Sequence, residues 1–360
     1  LVFASGILTG TVLPGTGRHA VGAKSPLTGA LASSEAGGFF GQEMKKAGLD
    51  AVVFYGTSPE PVYLYVNNGD VELRSAEHLW GKLTADVQEQ IQEEHDDSKI
   101  RVAQIGPGGE NQVLYAAIMH DINRAAGRSG VGAVMGSKNL KALAVRGNNT
   151  VGLADKSVLK GTLKWITSTY KDSMGWAVSY GTPGSFGANH ESGGLAINNY
   201  RDSNLPEYEK LAHENYFKEV IVDRDTCSHC PVRCKLVAEH AEKPKIERKY
   251  GGPEYESLGA LGSLTTVTDP VIVSKANELC AAYGIDTISA GATIAFTMEC
   301  VEKDIIADED FLPQFGNGED LIQAVHLIAR REGLGELMAQ GSARMAEKLG
   351  QGSEQFLAVA

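Results

Sequence analysis

A change in hydrophobic pattern near residue 150 constrains the fold of this 360-residue chain most strongly. Before it, short runs rich in β-branched and aromatic residues are separated by glycine-containing turns, which predicts strands. After it, apolar residues recur every three or four positions over long segments, which predicts helices. The sequence therefore predicts an α+β protein, with a β-rich domain over residues 1–150 and a mainly helical domain over residues 151–360.

Local signals predict the individual elements. The Asn68–Gly69 pair predicts a tight hairpin turn within the run Pro61–Arg74. Helices are expected at Thr84–His95, with Thr84 as the N-cap, at Asn111–Ala126, and as one segment over Leu334–Gly350. The other predicted strands are Leu1–Gly6, Asp50–Gly56, Ile100–Gly106 and Leu140–Gly147, and the other predicted helices are Asp155–Ser173, Asp269–Gly284, Thr287–Asp304 and Glu319–Gly333.

Both ends of the sequence fall inside strand-like segments, "LVFASG" and "EQFLAVA", and residue 1 is leucine. We therefore expect the chain to be an internal piece of a longer protein, truncated at both ends.

The charge and the cysteine usage indicate a cytoplasmic protein. A formal net charge of -12 disfavours non-specific binding to nucleic acid and to anionic membrane surfaces. The apolar run Ile288–Met298 is too short to span a bilayer, and the N-terminal segment lacks the charged region of a secretory signal. Three of the five cysteines lie in one motif, which is typical of a metal site rather than of a disulfide framework.

That motif, "DTCSHCPVRCK", places Cys227, Cys230 and Cys234 at the spacing C-x2-C-x3-C. Three thiolates at this spacing can bind zinc or an iron–sulfur cluster, and either site needs a fourth ligand from elsewhere. His229 and His240 keep zinc open, so the motif alone does not decide between the two.

A second motif, Ile122–Val145, interleaves Arg124, Arg128, Lys138 and Lys141 with glycines. Guanidinium groups and closely approachable backbone amides suit a phosphate or another polyanion. The alternative is a packed turn with solvated basic side chains. Neither a Walker motif nor G-x-G-x-x-G is present, which disfavours ordinary nucleotide binding.

Three further stretches have simple structural explanations. The glycine-rich segment Gly15–Gly41, which contains Arg18 and Lys24, is typical of a pair of β-turns. Glu254 and Glu256 precede a helix start, where acidic residues complement the helix dipole, although a carboxylate in apolar surroundings can serve as a general acid or base. Asp286 or Thr287 would cap a helix, although a helix start that points inward can also bind a heterocycle.

Taken together, these stretches resemble the tungsten-containing aldehyde ferredoxin oxidoreductases. The similarity is strongest over "IGPGGENQVLYAAIMHDINRAAGRSGVGAVMGSKNLKALAV" and continues through "KSPLTG", "AGGFFG", "CSHCPVRC", "GGPEYES" and "GIDTIS" along the whole chain. It implies a β platform beneath a tungsten ion, or molybdenum in some members, held by two pyranopterins. It also implies oxidation of aldehydes to carboxylic acids, with electrons passing through a [4Fe-4S] cluster to ferredoxin.

The resemblance further implies roles for individual residues. Cys227, Cys230 and Cys234 match three cluster ligands, and Glu256 matches a glutamate that handles protons. The positions implied to contact the pterins are Arg18, Glu35, Gly37, Arg124, Ala125, Gly127, Arg128, Gly284 and Asp286.

Within that set, the main-chain carbonyls of Glu35 and Ala125 would help to hold a Mg²⁺ ion that bridges the pterin phosphates. The chain departs from the family pattern at Glu35, where asparagine is usual, and at Ala281, where the pterin loop usually has its first aspartate. The fourth cluster ligand is expected beyond the residues of this chain.

Three other functional interpretations are also compatible with the sequence. A relative with the same cofactor and different chemistry, such as the tungsten subunit of a class II benzoyl-CoA reductase, would share these motifs. A non-enzymatic iron–sulfur electron carrier would explain the cysteines but not the Gly/Arg stretches, and a zinc-stabilised domain would explain still less. The expected partners are ferredoxin or another electron-transfer protein and an aldehyde, and the sequence is compatible with a homodimer.

Overall fold

The computed structural model describes residues 1–358, and within them strands dominate the first part and helices the second. The α+β class is therefore confirmed. The strands are β1 Val2–Ser5, β2 His19–Lys24, β3 Leu31–Ala36, β4 Ala51–Val53, β5 Val62–Asn67, β6 Asp70–Ser75, β7 Arg101–Gln104, β8 Ile118–His120, β9 Arg124–Ala126, β10 Leu140–Arg146, β11 Ile221–Asp225 and β12 Lys235–Ala238.

The helices of the described residues include several short turns as well as four long segments. They are α1 Phe40–Lys46, α2 Thr84–Glu94, α3 Pro107–Glu110, α4 Val131–Gly136, α5 Lys156–Ser173, α6 Gly175–Tyr180, α7 Phe186–Glu191, α8 His213–Glu219, α9 Tyr255–Leu258, α10 Pro270–Tyr283, α11 Thr287–Glu302, α12 Gly318–Arg330, α13 Leu334–Met338 and α14 Ser342–Leu349.

Two sheets form the β-rich part. An antiparallel four-stranded sheet has the order β3-β2-β1-β4, and a mixed six-stranded sheet has the order β6-β5-β10-β7-β8-β9, in which β5 and β10 run parallel. The predicted hairpin joins β5 to β6, and both Asn68 and Gly69 have the positive φ that a tight turn requires. A separate hairpin of β11 and β12 flanks the cysteine motif.

The predicted helix over Asn111–Ala126 is wrong, because this segment contains β8 and β9 instead. Its backbone groups are satisfied from outside the segment: the Leu114 amide donates to the Ala339 carbonyl at 2.9 Å, and the Ala117 amide donates to the Gly284 carbonyl at 2.8 Å. The apolar run is therefore buried between the sheet and the helices. In such a fully buried run, the spacing of apolar residues does not distinguish a strand from a helix.

Three smaller expectations also fail. Thr84 does not cap α2, because its hydroxyl donates to the Ala281 carbonyl at 3.0 Å. The helix expected over Leu334–Gly350 is broken at Gly341, which has φ 84°, into α13 and α14. The strand expected in "EQFLAVA" is a 3-10 turn at Ser353–Phe356, and its last two residues lie outside the described part.

Helices α10 and α11 form the centre of the helical part. Most of their residues are buried, and they pack in one large apolar core with α12, α13 and α14. The N-terminal ends of both helices are capped by aspartates, Asp269 and Asp286, whose carboxylates accept backbone amides of the first turn. The start of α11 lies beside Gly127 and Arg128, which directly follow β9, and this arrangement positions the site described below.

Gly136, at the end of α4, leaves no room for a side chain. A Cβ there would lie 1.9 Å from the Gly109 carbonyl oxygen, which is backbone and cannot rotate away. We expect Gly136→Ala to lower the free energy of unfolding by about 3 kcal/mol, measured by urea denaturation. Gly161→Ala is the control, because open space surrounds Gly161 in α5 and alanine favours helix there. Equal stability of the two variants would contradict the close approach.

Candidate active site

A cavity of about 680 Å³ lies between the sheets and the helical part. It is lined by most of the residues singled out in the sequence: Arg18, Glu35, Gly37, Arg124, Ala125, Gly127, Arg128, Cys227, Cys234, Glu256 and Asp286. Cys230 and Gly284 are not among its lining residues. The structure therefore brings together stretches that are more than 200 residues apart in the chain.

Arg18 and Arg128 bring positive charge to the cavity from two different elements. The Arg18 guanidinium pairs with Glu35 at 3.0 Å, and both side chains are more than half exposed. Arg128 pairs with Asp286 at 2.9 Å and also donates to the Ser289 hydroxyl. The exposed Arg18–Glu35 pair is weak, so an incoming anion can share or displace it at low cost. The Arg128–Asp286 pair is stronger, because the Asp286 carboxylate is buried.

Arg124 is different, because its side chain is only 8% exposed and its contacts are internal. It donates to the Asp225 carboxylate at 3.2 Å and to the Thr226 carbonyl at 2.9 Å, just before the first cysteine. A third bond goes to the Asn123 side chain at 2.6 Å. Arg124 therefore fixes the entrance of the cysteine loop to strand β9 as well as lining the cavity.

The cysteine loop, defined here as Cys227–Cys234, carries its thiols on a tightly turned backbone. The Thr226 hydroxyl donates to the Cys230 carbonyl at 2.6 Å, and His229 and Arg233 have the positive φ values that reverse the chain between successive cysteines. None of these three thiols forms a disulfide. Burial and the nearby Glu254 carboxylate raise the pKa of the Cys234 thiol.

The glycines of "AGGFFG" allow this loop to approach the sheet. A Cβ on Gly37 would lie 2.8 Å from the Cys227 sulfur, and the Ser228 amide donates to the Gly38 carbonyl at 3.1 Å. The structure thus gives Gly37 a contact that the sequence did not predict, since it was expected to line a pterin phosphate.

Asp286 both caps α11 and faces the cavity. Its carboxylate accepts the amides of Ile288 and Ser289 and the Ser289 hydroxyl. Burial raises the pKa of Asp286, while Arg128 acts in the opposite direction. The capping explanation is therefore correct, and it coexists with a position on the cavity wall.

Gly284 has a role outside the cavity. It ends α10 in the left-handed conformation, and a Cβ there would lie 2.8 Å from the Gly106 amide nitrogen. Its contact is therefore with the backbone that follows β7.

Glu256 lines the cavity from the first turn of α9, and its side chain is exposed, so it does not lie in the apolar surroundings that the sequence left open for it. The cavity is open on this side. Its neighbour Glu254 is held instead, by the Thr182 hydroxyl and by Lys235 at 3.3 Å.

Two basic residues of the predicted polyanion motif do not reach the cavity. The Lys141 ammonium is fully buried against Glu110, and Lys138 donates to the Gly56 carbonyl at 2.8 Å. Both therefore have structural roles. Lys235, Thr182 and Asn277 line the cavity and were missed, although Lys235 directly follows the last cysteine of the motif and could have been noticed there.

The arginines and cysteines of the lining have the chemistry that a polyanionic cofactor beside an iron–sulfur cluster needs. Three arginines and close backbone suit phosphates, and three thiols of one loop suit a cluster. Cys280 and Cys300 are buried on α10 and α11 and do not line the cavity. Within residues 1–358, no group of three or more His, Cys, Asp or Glu side chains is arranged to hold a single metal ion.

Comparison with known proteins decides the family. A family model described as the aldehyde ferredoxin oxidoreductase N-terminal domain matches residues 1–147, and one for domains 2 and 3 matches residues 161–360. The chain belongs to the aldehyde ferredoxin oxidoreductase family. The family expected from the sequence motifs is therefore confirmed.

Curated members of this family align over the whole chain. A tungsten-containing aldehyde ferredoxin oxidoreductase of Pyrococcus horikoshii is 40% identical over 100% of this chain, and that of Pyrococcus furiosus is 41% identical over 97%. An aliphatic sulfonate oxidoreductase, WOR-like subunit, of Pyrococcus furiosus is 29% identical over 97% of the chain. The chain spans only about 60% of the length of the first two relatives.

Among solved structures, the active site complex BamBC of benzoyl coenzyme A reductase, in complex with 1,5 dienoyl-CoA, is similar to this fold. The TM-score is 0.85 at 32% identity, and the match covers 99% of this chain and 56% of that one. Proteins with different named substrates therefore share this fold.

Proposed function

We propose that this chain is part of an oxidoreductase that oxidises aldehydes to carboxylic acids with a tungsten bis-pyranopterin cofactor. Electrons would leave through a [4Fe-4S] cluster to ferredoxin or a similar carrier. The proposal is supported by family membership and by about 40% identity to tungsten-containing aldehyde ferredoxin oxidoreductases. A cytoplasmic location and a homodimer stay predictions. Within the described residues, no helix is long and apolar enough to cross a membrane.

The observation that carries the proposal is one cavity in which anion-binding and cluster-binding groups meet. Arg18 and Arg128 face the same space as Cys227 and Cys234. When bound, the pterin-held tungsten supplies the two-electron oxidation, and the cluster supplies the one-electron steps. An iron–sulfur electron carrier alone, or a zinc-stabilised domain, would need the cysteines but not the arginine-lined space.

Different residues of the chain would bind the cofactors and move the proton. Arg18, Arg124 and Arg128 would neutralise phosphate groups, with main-chain carbonyls of Glu35 and Ala125 holding a Mg²⁺ ion. Cys227, Cys230 and Cys234 would hold the cluster as thiolates. Glu256 would accept a proton at its carboxylate oxygen when water adds to the aldehyde carbon.

We expect the protein, produced anaerobically from its natural gene in tungstate-supplemented cells, to oxidise short aldehydes with benzyl viologen as the acceptor. Metal analysis of the same preparation should give tungsten and about four irons per chain. Zinc as the only bound metal would contradict the proposal. Molybdenum in place of tungsten would keep the reaction class and change the metal.

A second candidate is a reaction of a coenzyme A thioester, favoured by the fold match to the benzoyl coenzyme A reductase complex over nearly the whole chain. The same preparation should be assayed with the dienoyl-CoA thioester and oxidised viologen. Turnover of the thioester without aldehyde oxidation would replace the first candidate by the second.

A further inference from the structure

A second groove, of about 560 Å³, lies on the other side of the cysteine loop. We name it the Ser228 groove; its walls include Phe39, Lys46, Lys99, Arg101, Arg146 and Ser228. The loop thus has two faces. Cys227 and Cys234 face the cofactor cavity, whereas Ser228 and His229, between the first two cysteines, face the groove.

The Ser228 groove carries positive charge on a strongly acidic chain. Neither Lys46 nor Lys99 forms a salt bridge within residues 1–358, and the two nearby carboxylates, Glu43 in the wall and Asp97 beside Lys99, are both paired with Arg146. Arg101 lies over the Phe39 ring at 4.8 Å, and its link to Asp121 is a long 3.7 Å. Arg146, by contrast, is satisfied by Glu43 and Asp97, both at 2.7 Å.

Two hydrogen bonds hold the loop at this wall. The Ser228 hydroxyl bonds to the buried Gln42 side chain, and the Ser228 amide donates to the Gly38 carbonyl at 3.1 Å. Ser228 and His229, which line the groove, lie in the chain directly between Cys227 and Cys230. Because electron transfer slows steeply with distance, a carrier in this groove would be separated from a cluster on the three cysteines by a single loop.

We propose that the Ser228 groove is the docking face for an acidic iron–sulfur electron-carrier protein. This inference rests on the proposed function, because it assumes a cluster on the cysteine loop. These 360 residues carry a formal net charge of -12, which repels an acidic carrier, so a local basic face would favour a productive encounter. The groove supplies that face at the loop where the electrons would leave.

The test is binding of ferredoxin purified from the same cells to the full-length protein, measured by calorimetry at low ionic strength. The charge-reversal variant K46E/K99E should raise the Kd about tenfold or more, and the difference should shrink as salt screens the charges. The dye-linked activity of the variant should equal that of the parent protein, because neither lysine lines the cofactor cavity.

The matched control is K218E/K348E, which makes the same charge change at exposed helix positions outside the groove. An equal rise in Kd in both variants would overturn the proposal, since only net charge would then matter. An unchanged Kd in K46E/K99E would also overturn it. That is the result expected if another part of the full-length protein covers the groove. Ferredoxin binding that depends on Lys46 and Lys99, without any aldehyde oxidation, would keep the docking face and remove the proposed substrate.

Discussion

Replacing Glu256 by glutamine should lower kcat for aldehyde oxidation by about 10²- to 10³-fold while tungsten, iron and pterin stay bound. Glutamine keeps the size and hydrogen-bonding capacity of the side chain but cannot take up a proton. Glu256 is exposed at the open side of the cavity and has no ion-pair partner within the described residues, so its loss should not disturb folding.

The effect should be measured as kcat with benzyl viologen, together with the metal content of each preparation. Glu347→Gln, at an exposed position on α14, is the control and should have full activity. Full activity of E256Q with intact cofactor would remove Glu256 from the mechanism. Loss of activity together with loss of tungsten would show instead that Glu256 supports cofactor binding.

Replacing Cys230 by serine should abolish the visible absorbance of the cluster and most of the bound iron. A serine hydroxyl is a poor substitute for a thiolate at a four-iron cluster, whose ligands are normally cysteines. Cys230 lies on the cysteine loop but does not line the cavity with Cys227 and Cys234, so the variant tests directly whether Cys230 is a cluster ligand.

Cys280→Ala is the matched control, since Cys280 is fully buried in α10 away from the loop. Its spectrum and iron content should equal those of the parent protein. Iron retention with an unchanged spectrum in C230S would refute the assignment of Cys230 as a ligand, whatever the activity of that variant.

The sequence predicted the strands and helices that have strong local signals. The hairpin at Asn68–Gly69 depends on a turn chemistry that few other residue pairs satisfy, and α10 and α11 begin at aspartates that cap them. The failed helix over Asn111–Ala126 lacks such signals. Its backbone bonds to Gly284 and Ala339, which are distant in sequence, and no local pattern encodes those partners.

The site was predicted unevenly for a similar reason. Residue types identified the arginines and cysteines as candidates, and the cavity brings most of them together. Sequence could not show that Lys141 is neutralised by Glu110 or that Glu256 is exposed, because burial depends on packing between distant segments. The division of the chain at residue 150 stays a prediction, as do the roles of the individual site residues.

The contacts of the cysteine loop also bear on the order in which this protein can mature. Arg124 holds the Thr226 carbonyl, and the backbone at Gly37 and Gly38 meets Cys227 and Ser228, so the loop takes its shape from strands made far earlier in synthesis. The segment that contains β8 and β9 in turn takes backbone partners from Gly284 and Ala339, which are made after the loop, so the sheet edge and the loop reach their final form only when the helical part is present. Truncation of the chain before Gly284 would therefore remove contacts of the sheet edge from which Arg124 holds the cysteine loop, even though all three cysteines would still be present.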